Sequence, residues 1–194
     1  MALSYERLSE LEAVNQMLST IDENPISTLA VTGDLNVSVA KQLLYDVSRE
    51  IQTEGWYFNR ETEYPLTRDI DGFLNLPVNT LECDIESIDR NKNVVQRGTR
   101  LYDKDNFTYV FTENLKVDIT LFLAWDELPA AFRQYVAIVA SRRFQRRMLG
   151  SDETEKFTAP EELKARAMVV ASDTRSRDYN MRDSTLIFNT TRRI

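Results

Sequence analysis

Histidine is absent from the 194 residues, and that absence bounds the available chemistry. Ser-His-Asp and Cys-His arrangements are excluded, as are zinc sets that need an imidazole. Carboxylate, lysine, tyrosine and hydroxyl chemistry remains. Carboxylate pairs such as Asp84 and Glu86 are the candidates for acid and base work. Two residues apart on a strand, they would share a face. Glycan hydrolysis uses two carboxyls about 5–10 Å apart across a cleft, so a polysaccharide hydrolase with paired carboxylates is one reading. The plainer one is a charged strand edge that resists edge-to-edge aggregation. Asp69-Ile70-Asp71-Gly72 begins like a calcium loop but lacks the twelve-residue ligand pattern and its closing Glu. The five glycines are isolated and form neither a P-loop nor a dinucleotide fingerprint. Cys83 is the single cysteine; it cannot form an internal disulfide and reads as a small buried hydrophobe. No catalytic, metal-binding or cofactor-binding residue is assigned, and no cofactor is expected.

The other chemistry-bearing group is cationic. Arg133, Arg142, Arg143, Arg146 and Arg147 lie between Pro129 and Gly150. On a helix, Arg142 and Arg146 are four apart, as are Arg143 and Arg147, so they form adjacent rows. Such rows suit an acidic patch on another subunit or DNA phosphate. A solvated face at a helix C-terminus, where cations are favoured, is the plainer alternative. Arginine in place of lysine favours an interface, because guanidinium pairs bidentately with carboxylate.

The elements that position these groups follow from periodicity. Leu8, Leu11, Val14, Leu18 and Ile21 recur at helical steps, with Ser4 or Ser9 as a cap and Glu12 completing a capping box with the second. Pro25 ends that helix. A second helix starts near Asn36, buries Val39, Ala40, Leu43, Leu44, Val47 and Ile51, and stops before Gly55. From Trp56 to Trp125 the chain offers short aromatic and β-branched runs: Trp56–Phe58, Gly72–Leu76, Thr99–Tyr102, Phe107–Phe111 and Val117–Leu123. Polar turns separate them, as in a small antiparallel β domain. Helical spacing returns after Pro129 with Phe132, Val136, Val139, Ala140, Phe144 and Met148. A fourth helix opens at Thr158, with Glu161 at capping-box spacing and Leu163, Ala167 and Val170 as its apolar face. From Asp173 onward no stable period is visible, and the segment reads as an arm that orders against a partner.

The expected fold is α+β. Both ends of the chain, residues 1–55 and 127–172, form a small four-helix bundle. Residues 56–126 form an inserted antiparallel β domain, and residues 173–194 an extended C-terminal arm. Hydrophobic residues make up 42% of the chain and charged residues 28%, enough for a real core. A net charge of −7 and a pI near 4.8 argue against a surface that grips nucleic acid throughout. They permit one past which DNA slides, since like charges repel. The segment Met1 to Glu12 has no apolar block before a cleavage site, and no stretch approaches the roughly 20 apolar residues of a membrane span. The expectation is a protein made in a cytoplasm, or kept in an assembly built there, with no membrane partner.

Taken in order, several runs resemble the tail tubular protein A family, the head-to-tail adaptors of short-tailed podovirus phages. They are Leu11–Leu18, Pro25–Leu29, Ile51–Asn59, Leu76–Asn79, Arg97-Gly98 followed by Leu101–Asp103, and Trp125–Pro129 leading into Phe132–Val136 and Ala140–Phe144. The resemblance covers about residues 5 to 172. It implies a structural virion protein and not an enzyme. Twelve subunits would form a ring below the portal protein, joining the head to a tail nozzle protein of the tail tubular protein B type. Double-stranded DNA would pass through the ring without sequence specificity. Helices would form the ring body, the β insertion would face outward or downward, and the arm would dock on the portal. Tyr179, Met181, Leu186, Ile187 and Phe188 are the arm's expected docking residues. The implied location is the virion tail, assembled in the host cytoplasm.

Overall fold

A computed structural model describes residues 8–30, 33–84, 93–150 and 159–183, the last six of these as backbone only. The fold is α+β. The chain divides into two compact units, one of residues 1–51 with 124–194 and one of residues 52–123.

In the first unit, helix α1 spans Glu10–Ser19 and α2 spans Leu35–Gln52, the last residue of α2 counting with the second unit. A single-turn 3-10 helix at Trp125–Glu127 precedes α3, Ala130–Leu149, and α4 covers Ala159–Asp183. Ser9 caps α1: its hydroxyl accepts from Glu12 N at 3.2 Å, and the Glu12 carboxylate accepts from Ser9 N at 2.8 Å. Two of the orphan amides at the helix start are thereby satisfied. The cap of α2 is Asp34, not Asn36. Its carboxylate accepts from Asn36 N at 2.9 Å and Val37 N at 3.3 Å, because an Asp at the cap position also suits the helix dipole. Asn15 holds the chain that leaves α1, donating to Ile26 O at 3.0 Å and accepting from Ile26 N at 2.8 Å. Gly150 closes α3 at φ 66°, a left-handed cap that a Cβ would strain.

Helix α3 is the centre of this unit. Beyond the expected face it also buries Tyr135, Ala137, Ile138, Ser141 and Gln145, so it is covered on nearly every side. Helices α1 and α4 both pack against it. Helix α4 corrects two expectations. It continues to Asp183, so residues 173–183 are helical, whereas the arm was expected to start at Asp173. Its buried apolar residues are Ala165 and Val169, whereas Leu163, Ala167 and Val170 face solvent. Both sets recur at helical steps, and periodicity alone does not say which one a neighbour covers. Thr158, the expected cap, lies outside the described residues.

The second unit is antiparallel β. Strands β1 (Arg60–Leu66), β5 (Leu115–Leu121) and β2 (Thr80–Asp84) form a sheet in the order β1-β5-β2. Strands β3 (Val94–Arg97) and β4 (Arg100–Asp103) form a hairpin, extended by bridges through Phe73, Asn75, Thr108 and Val110. The core is Leu66, Leu74, Leu76, Leu101, Phe111, Leu115, Val117 and Ile119, each worth about 1.5–3 kcal/mol when fully buried. The alternation Val117-Asp118-Ile119-Thr120-Leu121 reads as a half-buried strand. As the central strand, β5 buries Asp118 and Thr120 as well. The Asp118 carboxylate accepts from Glu63 N at 3.0 Å and from Arg60 Nη2 at 3.3 Å, holding a bulge in β1 where Glu63 has φ 53°. Trp56–Phe58 was expected to be a strand but forms a turn. Asn59 holds that turn, accepting from Trp56 N at 2.8 Å and donating to Gln52 O and Leu121 O at 2.9 Å each.

Asn59 is 1% exposed, so Asn59→Ala strands the Trp56 amide and removes a donor from the carbonyls of Gln52 and Leu121, the first of which keeps Gly55 N. We expect a loss of about 2–4 kcal/mol, read by chemical denaturation. Asn59→Asp should recover little, because a carboxylate cannot donate to either carbonyl.

Candidate functional site

A helix covered on nearly every side cannot leave guanidinium groups unpaired in its packed region. The five arginines of α3 therefore divide by position along the helix. Arg133, in the first turn, is 4% exposed. Its Nε donates to Leu128 O at 3.0 Å, its Nη1 to Leu8 O at 3.2 Å and its Nη2 to Asp126 O at 2.5 Å. The Trp125 indole N–H donates to the same Leu8 carbonyl at 2.9 Å. Arg133 thus ties the segment before α1 to the 3-10 turn and to the start of α3. The sequence marks Arg133 for contact with a subunit or DNA; within the chain its guanidinium donates to three carbonyls of its own backbone.

Further along, Arg143 forms a two-pronged pair with Glu50 of α2, Nη1 to Oε2 at 2.5 Å and Nη2 to Oε1 at 2.8 Å. This hydrogen bonding, against a smaller burial cost, holds the Glu50 carboxyl below its ordinary range and raises Arg143. Arg142 pairs through Nη1 with Glu162 of α4, and Arg166 of α4 donates to the Tyr135 hydroxyl at 3.1 Å. The acidic patches that Arg142 and Arg143 meet are therefore on the same chain, with α2 on one side and α4 on the other. Arg146 and Arg147 stand exposed in the last turn, where positive charge favours the helix dipole.

The remaining candidates are placed as follows. Asp69 accepts from Phe73 N at 2.8 Å, Asp71 N at 3.0 Å and Asn75 Nδ2 at 2.8 Å. The bond from Phe73 N leads in holding its carboxyl below the usual range. That carboxylate shapes a turn whose Gly72, at φ 82°, has room for no Cβ: one would lie 2.9 Å from Val110 Cγ1. Glu82 and Asp84 are exposed on β2, an outer strand of its sheet; Glu86 lies outside the described residues. Cys83 is half-buried against the β core, and burial, with Asp84 and Asp118 adding, pushes its thiol up to about 12. It is therefore a poor nucleophile. Among the described residues no group of three or more acidic or cysteine side chains could hold a metal ion, and no helix is long and apolar enough to cross a membrane. Tyr179 and Met181 fall in the last turns of α4, where only the backbone is described; Leu186, Ile187 and Phe188 lie outside the described residues.

Arg133→Met removes the side-chain donor from the Asp126 and Leu128 carbonyls, leaves Leu8 O with the Trp125 indole alone, and should cost about 3 kcal/mol, lowering the thermal midpoint by roughly 10 °C; Arg147→Ala should change stability by less than about 0.5 kcal/mol. The Glu50–Arg143 pair contributes above the ordinary carboxylate pKa, and its contribution is lost as pH falls through the lowered value. Stability measured against pH should therefore decline less steeply below about pH 4.5 in Glu50→Gln than in the unmodified chain.

Known proteins match this chain along most of its length. A model of the family described as tail tubular protein matches residues 11–179. Tail tubular protein A of Klebsiella phage KP34 is 27% identical over 173 residues, covering 89% of this chain and 91% of the relative. The match runs through α1 and the whole β unit into the last turns of α4. The chain belongs to the tail tubular protein family, and is a structural component of a phage tail.

Proposed function

We propose that the chain is the ring-forming adaptor between the portal protein and the tail nozzle protein of a short-tailed phage. The match to the tail tubular family over residues 11–179 carries this reading. Twelve copies close a ring whose body is a four-helix bundle formed by both ends of the chain. The ring's bore continues the DNA ejection channel, and double-stranded DNA passes without sequence readout. The net charge of −7 supports the passage, since a wall of like sign lets DNA slide. The internal pairing of Arg133, Arg142 and Arg143 fits as well, because Arg133 is buried and the other two are paired with carboxylates of their own chain. Arg146 and Arg147 are the arginines of this helix proposed to meet a neighbouring subunit or DNA phosphate.

The C-terminal residues Tyr179, Met181, Leu186, Ile187 and Phe188 dock on the portal. Their support is compositional: bulky apolar side chains spaced among polar ones suit contact with a partner surface. Assembly takes place in the host cytoplasm, with the portal as template.

Electron microscopy of the protein mixed with its own portal should show an added ring on one face of the portal. Well-folded protein that leaves the portal bare would overturn the adaptor reading. Deleting residues 184–194 should abolish portal binding while leaving the melting curve within a few degrees of the full chain. Normal binding by the truncated chain would remove the docking role of Leu186, Ile187 and Phe188.

A further inference from the structure

Helix α4 carries two apolar stripes, and its own unit covers one. Ala165 and Val169 are buried. Leu163 is 68% exposed and Val170 46%, and Ala167 lies open between them. At positions i, i+4 and i+7 these three fall on one face, turned well away from the buried pair. An apolar stripe at helical spacing is the normal signature of a face that packs on something.

Helix α2 supplies a second, different outer face. Val37, Ala40, Leu44, Val47 and Ile51 point into the unit. The opposite side presents Leu35, 73% exposed, and Tyr45, 45% exposed, along with Gln42 and Asp46. The Tyr45 ring is held in place by Arg49, which lies 4.9 Å from its centroid and donates to its hydroxyl at 3.1 Å. Helix α3 reaches α2 through Arg143–Glu50 and α4 through Arg142–Glu162. The two outer faces therefore belong to helices held by different arginines of the same central helix.

We infer that the outer stripe of α4 in one copy packs on the outer face of α2 in the next copy. This rests on the ring reading above and names the faces that close it. A closed ring needs two unlike faces on each subunit, because its contacts are head-to-tail. A self-paired α4 stripe would give a two-fold dimer and end assembly. The charges fit the unlike pairing. Exposed Lys164 and Arg175 flank the α4 stripe; on the α2 face exposed Asp34 and Asp46 outnumber Arg49, which is engaged with the Tyr45 ring. Opposed charge of this kind sets register and partner choice more than affinity. The α4 stripe, about 10 Å of helix from Leu163 to Val170, is shorter than the α2 face, about 15 Å from Leu35 to Tyr45.

The test uses full-length chain assembled on its portal. In Gln42→Cys with Ala167→Cys, a short bismaleimide should link neighbouring copies into a ladder of multimers. Either single variant should give at most the background set by Cys83. Rings that form but yield no more ladder from the double variant than from the single ones overturn the inference and leave the ring reading intact. Rings absent even from the unmodified chain overturn both. Charge exchange provides the second arm. Lys164→Glu and Asp46→Lys should each reduce ring yield, and the two together should restore it. Unchanged yield in both single variants contradicts the pairing.

Discussion

The organisation of the helical unit depends on one constraint: a helix buried on nearly all sides must neutralise its own cations. Helix α3 brings Phe132, Val136, Ala140 and Phe144 into the core and carries arginines at its first turn and in its second half. Burying an unpaired guanidinium would cost more than any single apolar contact returns. Arg133 and Arg142 in the packed part, and Arg143 at its exposed edge, each take an acceptor from another segment. The backbone before α1 and the 3-10 turn converge on Arg133, α2 on Arg143 and α4 on Arg142. Segments far apart in sequence are thereby fixed around one axis. A residue type read from sequence as an invitation to partners is here largely a fastening within the subunit.

The β unit solves a parallel problem with fewer charges. Its central strand β5 buries Asp118 by giving its carboxylate a backbone amide and a partly exposed guanidinium. Asn59 and Gln52 do the same for backbone at the unit's chain ends, with Gln52 exchanging hydrogen bonds with both polar groups of Leu123. Within each unit, long polar side chains secure backbone that no helix or strand ladder reaches. For a structural tail component, such internal fastening serves rigidity.

Much of this was legible in the sequence. The α1 capping box at Ser9 and Glu12 followed from local chemistry, as did the closure of α3 at Gly150 and the switch to β structure after Gly55, because the interacting groups are three or four residues apart. The failures share a cause. Strands β1 and β2 are outer strands rich in charge, with Pro65 in β1, so they lack the apolar alternation that marks a half-buried strand. The covered face of α4 was misassigned because two stripes have the same period. The partners of Arg142 and Arg143 lie 20 and 93 residues away, and no local pattern announces them. The family runs were readable because they recur in order along the chain.

A cryo-electron microscopy map of the assembled tail at side-chain resolution would test the account most directly. The account predicts that Arg133 remains on the carbonyls of Leu8, Asp126 and Leu128, and that Arg143 and Arg142 remain on Glu50 and Glu162 of their own chain. A map in which these guanidinium groups reach a neighbouring subunit's carboxylates or the DNA would contradict it.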